Sequence, residues 1–282
     1  MIRIVADSLG DLPQSVVDEH KITLVPSYVT MGDKTYRDRV DIQPEDFFQL
    51  LPTIKALPTT SQASVADFEK AYRSILADDP AAHILSVHCT GALSGSIESG
   101  RSARKLIPDA KIEVIDSGAI STGEGLCTLE AAMMASRGAS IEEVLIRLEA
   151  MRRELKSYFT LNTLDYLAKG GRIGRAARLL GTLLDMKPLL KLENGAIAPD
   201  DRHISREKAI SALVDKILSA GRGKSEIRLA IAHAVCKDEA DKVAETLQSE
   251  LKPSVLLRGE VGPAIGTYTG PGALGAFIWC AS

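Results

Sequence analysis

The sequence predicts an α/β protein organised on a parallel sheet, and three observations predict it. Short apolar runs of strand length at residues 2–5, 83–88 and 111–117 alternate with segments whose apolar residues recur at helical spacing. Each of those runs ends in small polar residues, Asp7-Ser8, Cys89-Thr90-Gly91 and Asp116-Ser117, at the strand ends where open parallel sheets collect ligands. The composition, 45% hydrophobic and 25% charged over 282 residues, supports a sizeable core and either two domains or one large α/β domain.

In chain order, residues 2–5 read as a buried strand leading to Asp7. Asp11 reads as a helix N-cap with Pro13 in the first turn of a helix to about His20. Residues 22–30 read as a second strand. Pro44 opens a helix with Glu45 and Asp46 in its acidic first turn. Next comes Leu57-Pro58-Thr59-Thr60-Ser61-Gln62-Ala63-Ser64, with four hydroxyl side chains ahead of a segment whose apolar residues are Val65, Phe68, Ala71, Tyr72, Ile75 and Leu76. Pro58 disfavours helix at Leu57, so the hydroxyl run is expected at or just before a helix start. Ser61 or Ser64 as a simple N-cap accounts for one hydroxyl, whereas unpaired helix N–H groups and surplus hydroxyls suit an anion.

The strand at 83–88 runs into Cys89-Thr90-Gly91-Ala92-Leu93-Ser94-Gly95-Ser96, followed by a helix over 97–106. Strand, hydroxyl-and-glycine turn and helix start thus recur, and glycine permits close backbone approach to a ligand. The strand at 111–117 precedes Ser121-Thr122-Gly123-Glu124-Gly125 and an Ala- and Met-rich helix over 126–135. After a helix at 141–153, a domain boundary is expected near Lys156, dividing the chain into 1–156 and 157–282.

Beyond it, 158–161 reads as a strand and 165–169 as a short helix. Gly170-Gly171-Arg172-Ile173-Gly174-Arg175 is a turn with two cations, able to clamp an anion or to sit solvated on the surface. Residues 176–184 have the composition of a buried helix. Two strands, 186–192 and 196–199, are joined through Asn194-Gly195, a strong hairpin signal. Helices at 206–219 and 237–251 flank a strand at 227–234. A strand at 254–258 leads into the glycine-rich stretch 262–275, and 276–280 forms the last strand.

Several function classes lose support. With 34 basic and 37 acidic residues the net charge is −3, and aromatics are 4%, so neither phosphate contacts nor base stacking favours nucleic acid. The N-terminus lacks a signal-peptide layout and no apolar run reaches the length of a membrane span, so a cytoplasmic protein without stable membrane insertion is expected. Cys89, Cys127, Cys236 and Cys280 follow no metal or redox spacing, and none of the five His falls in a zinc motif, so no metal or cofactor is expected. Ser94 lacks the glycine pair of a nucleophile elbow, and Gly123-Glu124-Gly125 matches no nucleotide fingerprint. Asp7 and Asp116 could serve as acids or bases, or cap loops. What remains is a set of hydroxyl-rich turns able to hold an anionic head group beside strongly apolar segments at 126–135 and 179–186, which suits an amphiphile as well as ordinary core packing.

A resemblance adds to this reading. Asp7-Ser8 with Asp11-Leu12-Pro13, Thr60-Ser61-Gln62, Leu93-Ser94-Gly95-Ser96, Asp116-Ser117, Lys169-Gly170-Gly171-Arg172-Ile173, Lys187-Pro188 and Gly270-Pro271-Gly272-Ala273 occur in one order over the full length. In that order they resemble the DegV family of fatty-acid-binding proteins. The resemblance implies two domains, a three-layer α/β/α unit with a parallel sheet and a two-layer α/β unit with a mixed sheet. It implies a long-chain fatty acid as ligand, its carboxylate held at Thr60, Ser61 and Ser94 with Gly95, Ser96 and Tyr268 nearby. It further implies a non-enzymatic subunit that presents the acid to a separate fatty acid kinase of the dihydroxyacetone-kinase type, making an acyl-phosphate for phospholipid synthesis. Arg172 matches an arginine near both the head group and the partner surface. Two positions depart from the family pattern. Tyr268 stands where a histidine is usual, and Ile204 where an arginine is common, with Arg202 and Arg206 each displaced from it by two positions. Two rival readings stay open: an enzyme acting on a small anionic substrate through Asp7, Asp116 or Ser94, and a lipid sensor without a kinase partner.

Overall fold

The computed structural model describes residues 1–180 and 186–281. The first half contains β1 (Ile2–Asp7), α1 (Gln14–Glu19), β2 (Thr23–Val25), β3 (Tyr28–Met31), β4 (Lys34–Arg37), α2 (Pro44–Leu50), β5 (Thr59–Ser61), α3 (Val65–Asp78), β6 (His83–His88), α4 (Ser96–Lys105), β7 (Lys111–Asp116), α5 (Thr122–Ser136) and α6 (Ile141–Glu154). The second half contains β8 (Lys156–Thr160), α7 (Asp165–Lys169), β9 (Lys187–Glu193), β10 (Ala196–His203), α8 (Arg206–Gly221), β11 (Ile227–His233), α9 (Lys237–Leu251), β12 (Val255–Glu260), α10 (Pro263–Thr269) and β13 (Leu274–Cys280).

Among the described residues, one sheet runs β2-β1-β6-β7, parallel throughout, and a second runs β10-β9-β8-β13-β11-β12 with mixed directions. A small antiparallel sheet, β4-β3-β5, sits at the edge. The expected α/β class, with a parallel and a mixed sheet, is what forms. β8, the first strand of the mixed sheet in chain order, starts at Lys156.

Strand alternation assigns the faces. In the parallel sheet Val5 and Ile84 pack with Phe68, Tyr72 and Ile75 of α3, while Ile4, Ala6, Leu85 and Val87 join Leu126 and Leu129 of α5. In the mixed sheet Leu229, Ile231, Ala276 and Ile278 pack on Leu213 and Ile217 of α8 and Val243 and Leu247 of α9. Its other face, with Ala230, Ala232 and Phe277, belongs to the same core as α5. Helix α5 therefore lies between the two sheets, which is why its first eleven residues, Thr122 to Ala132, are all buried. A helix covered on every side carries no amphipathic stripe. Gly125 is required there, because a Cβ would collide with the carbonyl of Gly10.

The hydroxyl run lies just before a helix start as expected: Ser64 caps α3, in a reciprocal capping box with Asp67, and Thr59–Ser61 ahead of it form strand β5, paired with β3 (Thr60 opposite Val29). Three sequence expectations are corrected. The strand expected over 22–30 breaks at Pro26, whose missing N–H ends β2, and β3 joins the small sheet instead. Asp11 is no helix N-cap: it sits at φ 47°, and α1 begins after Pro13. The helix expected over 176–184 is a 3-10 segment at Gly174–Leu179, and residues 181–185 lie outside the described residues, as does most of the apolar stretch 179–186. The Asn194-Gly195 hairpin forms as expected between β9 and β10. Gly195, at φ 75°, meets the Thr90 and Ala92 side chains, so this tip of the mixed sheet closes against the turn that follows β6.

Candidate functional site

A cavity lies where the carboxyl ends of the parallel sheet face the mixed sheet. Leu9 follows β1, Ser27 follows β2, Cys89 follows β6, and Ile120 and Ser121 follow β7; all line it. This is the crevice that parallel sheets leave for ligands. The opposite wall is apolar: Phe159 and Leu161 from the β8 end, Ala232 from β11 and Phe277 from β13. Helix α10 adds Ala264, Ile265 and Tyr268. The Gly- and Pro-rich sequence around α10 gives no periodic signal, and α10 is a helix because its N-terminus is held by side chains from elsewhere. Asp11 Oδ1 accepts from Gly262 N at 2.8 Å and Asp38 Oδ1 from Ala264 N at 3.2 Å.

The mouth is polar. Thr60 Oγ1 and the Tyr268 hydroxyl are 2.5 Å apart, and the Arg172 guanidinium stacks 4.9 Å from the centroid of the Tyr268 ring. The Arg172 guanidinium also donates, through Nη1, to the Gly170 carbonyl at 3.0 Å, and the residue stays exposed. Ser94 Oγ accepts from Ser96 N at 3.2 Å, so its own proton is left to donate. Ser61 and Gln62 complete the rim.

Of the residues singled out by sequence, Thr60, Ser61, Ser94, Arg172 and Tyr268 come together on this cavity. Gly95 and Ser96 stand outside its lining. Gly95 lets the Gln62 side chain pass, since a Cβ there would lie 2.7 Å from Gln62 Nε2, and buried Ser96 turns inward to His88 Nδ1 at 3.4 Å. Arg202 lies exposed on β10. The Arg206 guanidinium bonds to Glu239 at 2.6–3.0 Å and to Asn162 Oδ1 at 3.0 Å, tying α8 to α9. Sequence reasoning missed Gln62 as a lining residue, although it stands beside Ser61, and it missed the aromatic wall of Phe159 and Phe277, which nothing local distinguishes from ordinary core.

The strand-end acids are used elsewhere. Asp116 bridges two loops, accepting from Gly91 N at 3.0 Å and Gly118 N at 2.7 Å. Asp7 is fully buried and accepts from Leu9 N at 3.1 Å, with His88 Nδ1 at 3.3 Å. Burial pushes the Asp7 carboxyl up, but the hydrogen bond and charge of His88 outweigh it and hold the group below its ordinary value. Glu124, buried near Asp7, is pushed well up by burial and then by the Asp7 charge. Ser86 Oγ lies 2.8 Å from His88 Nε2, giving a serine–histidine–aspartate row. That row faces Tyr72 of α3, whose hydroxyl is 2.9 Å from Ser86, and none of its three members lines the cavity. It is a packing network. No group of side chains suited to a metal ion occurs among the described residues, and no described helix is long and apolar enough to cross a membrane.

A model of the DegV family, a family described as uncharacterised, matches residues 1–280. The chain belongs to the DegV family. A DegV domain-containing protein of Caldanaerobacter subterraneus is 33% identical over 277 residues, covering 98% of each chain. Among solved structures, a DegV family protein from Thermus thermophilus described for its fatty acid binding superposes with a TM-score of 0.93 at 35% identity, covering 99% of each chain. A stearic acid-binding protein from Eubacterium ventriosum superposes with a TM-score of 0.90 at 28% identity, covering 99% of this chain and 98% of that one. DegV proteins of this fold bind fatty acids, and the cavity described above has the matching form, an apolar interior with a hydroxyl-lined mouth.

Proposed function

We propose that this DegV protein binds one long-chain fatty acid, its tail in the cavity and its carboxylate at Thr60 and Ser94, with Ser61, Tyr268 and Arg172 around the mouth. One observation carries the reading: a largely apolar cavity with the Thr60, Ser61, Ser94 and Tyr268 hydroxyls together on its lining. A carboxylate leaving water needs donors, and charge-assisted hydrogen bonds from hydroxyls supply them. Each buried methylene contributes about 0.8 kcal/mol, so the tail sets affinity and the mouth sets orientation.

The same reading makes the protein a carrier. The carboxylate would sit beside exposed Arg172, where a separate fatty acid kinase could phosphorylate it to an acyl-phosphate, and Arg202 and Arg206 would lie on the surface offered to that kinase. Arg206 would serve there through its bond to Glu239, keeping the α8 terminus in place. The chain would work as two units, 1–156 and 157–282, with the ligand between them and no cofactor. Asp7 and Asp116 are committed to loops, and among the described residues no acid lines the cavity, which takes support from the enzymatic alternative.

The test is lipid extraction of the purified protein followed by mass spectrometry, with the Thr60→Ala/Ser94→Ala variant beside it. A co-purifying fatty acid, with affinity in the variant lowered about 100-fold or more, is expected from two bonds to a charged group. A phosphorylated metabolite in place of the lipid would favour the enzyme.

A further inference from the structure

We propose that Ser27 is a second polar contact inside the cavity, and that it admits acyl chains bearing a hydroxyl or oxo group a few carbons from the carboxylate. The inference rests on the fatty-acid reading above and names a ligand class within it. Ser27 is 2% exposed, lines the cavity, and its hydroxyl has no partner among the described residues. A buried hydroxyl left unpaired costs about 1–3 kcal/mol. Its backbone does not need that hydroxyl: Ser27 N donates to Ser8 Oγ at 3.1 Å, and its carbonyl accepts from Asp38 N at 2.8 Å. The hydroxyl is therefore free to both donate to and accept from a ligand.

Two independent rulers place it. Val29 stands opposite Thr60, and Tyr28 sends its hydroxyl the other way, to Asp67 at 2.9 Å. Ser27 immediately precedes β3, and continuing the strand's alternation by one residue puts it on the face of Val29 and Thr60, about 7 Å beyond Val29. The second ruler is α10. Asp38, bonded through its N–H to the Ser27 carbonyl, takes the N–H of Ala264, while Tyr268, one turn later, meets Thr60. One helical turn is about 5.4 Å. Both rulers put Ser27 a short distance from the head-group hydroxyls, on a cavity whose lining also includes the apolar Leu9, Val261 and Ala264. A plain chain passes that point and leaves the hydroxyl unpaired, whereas an oxygen on the chain there pairs with it.

The experiment is calorimetric titration of the delipidated full-length protein with hexadecanoic acid and its β-hydroxy, δ-hydroxy and ω-hydroxy derivatives. In the parent protein the β- or δ-hydroxy acid should bind within about threefold of the plain acid, and the ω-hydroxy acid more weakly than either. Ser27→Ala should lose about 3- to 10-fold for the better of the two proximal hydroxy acids, the worth of one hydrogen bond, while holding or tightening the plain acid. Ser27→Cys, a weaker donor of similar size, should fall between. Equal weakening of plain and hydroxylated acids by Ser27→Ala overturns the proposal, as does an unchanged ratio between them. Failure of every acid to bind the parent protein overturns it together with the fatty-acid reading.

Discussion

The cavity mouth and the layer behind its floor are both polar and both built at strand ends, yet they behave oppositely. At the mouth, Thr60, Ser94 and Tyr268 are half-buried and keep hydrogen-bonding capacity in reserve. Behind the floor, Asp7, Asp11 and Asp38 are 0–1% exposed and already spend theirs on loop N–H groups, hydroxyls, His88 and Arg39. A polar residue at a strand end therefore serves a ligand or the fold according to whether its valence is already filled. The acids lock the loops and α10, and the hydroxyls meet what enters.

The sharpest way to break this contrast is Asp7→Ala. It strands His88 and the Leu9 N–H in the core, and about 3–5 kcal/mol of stability should go, read as a lower urea midpoint. An unshifted midpoint would mean the buried acids are not structural. Asp38 sharpens it with a pH dependence. Burial raises its carboxyl from an ordinary 3.8 to about 6 in the folded protein. Between those values the folded state holds the extra proton, so this contribution is fully present below pH 3.8 and is lost as pH rises through about 6. Asp38→Asn keeps an acceptor for Ala264 N and should raise neutral-pH stability by about 1–2 kcal/mol while flattening that part of the curve. Thermal melts at several pH values test it; a curve that stays unflattened excludes Asp38 as the group responsible. The smallest effect is at the mouth. Tyr268→Phe keeps the ring under Arg172 but removes the bond to Thr60, so acid affinity should change only about 3- to 10-fold with the melting temperature held.

Much of this was legible beforehand for physical reasons that can be named. Short apolar runs of strand length identify β1, β6 and β7, and helical spacing identifies α3, because both patterns are local. The hydroxyls of Thr60 and Ser94 stood out because one cap uses one hydroxyl. Gln62, the Phe159–Phe277 wall and α10 did not, because each depends on partners far along the chain: the Gly262 N–H that begins α10 is held by Asp11, at the other end of the sequence.

By itself the sequence determined the α/β class, the strand ends as the place to look, and the hydroxyls able to hold an acid. Only the tertiary structure decided that Thr60 stands on a strand, that Asp7 and Asp116 turn away from the cavity, and that Ser27 lines it unpaired. Local patterns set element type through backbone sterics and spacing, but the packing of two sheets around α5 selects which polar groups are left with unfilled hydrogen bonds.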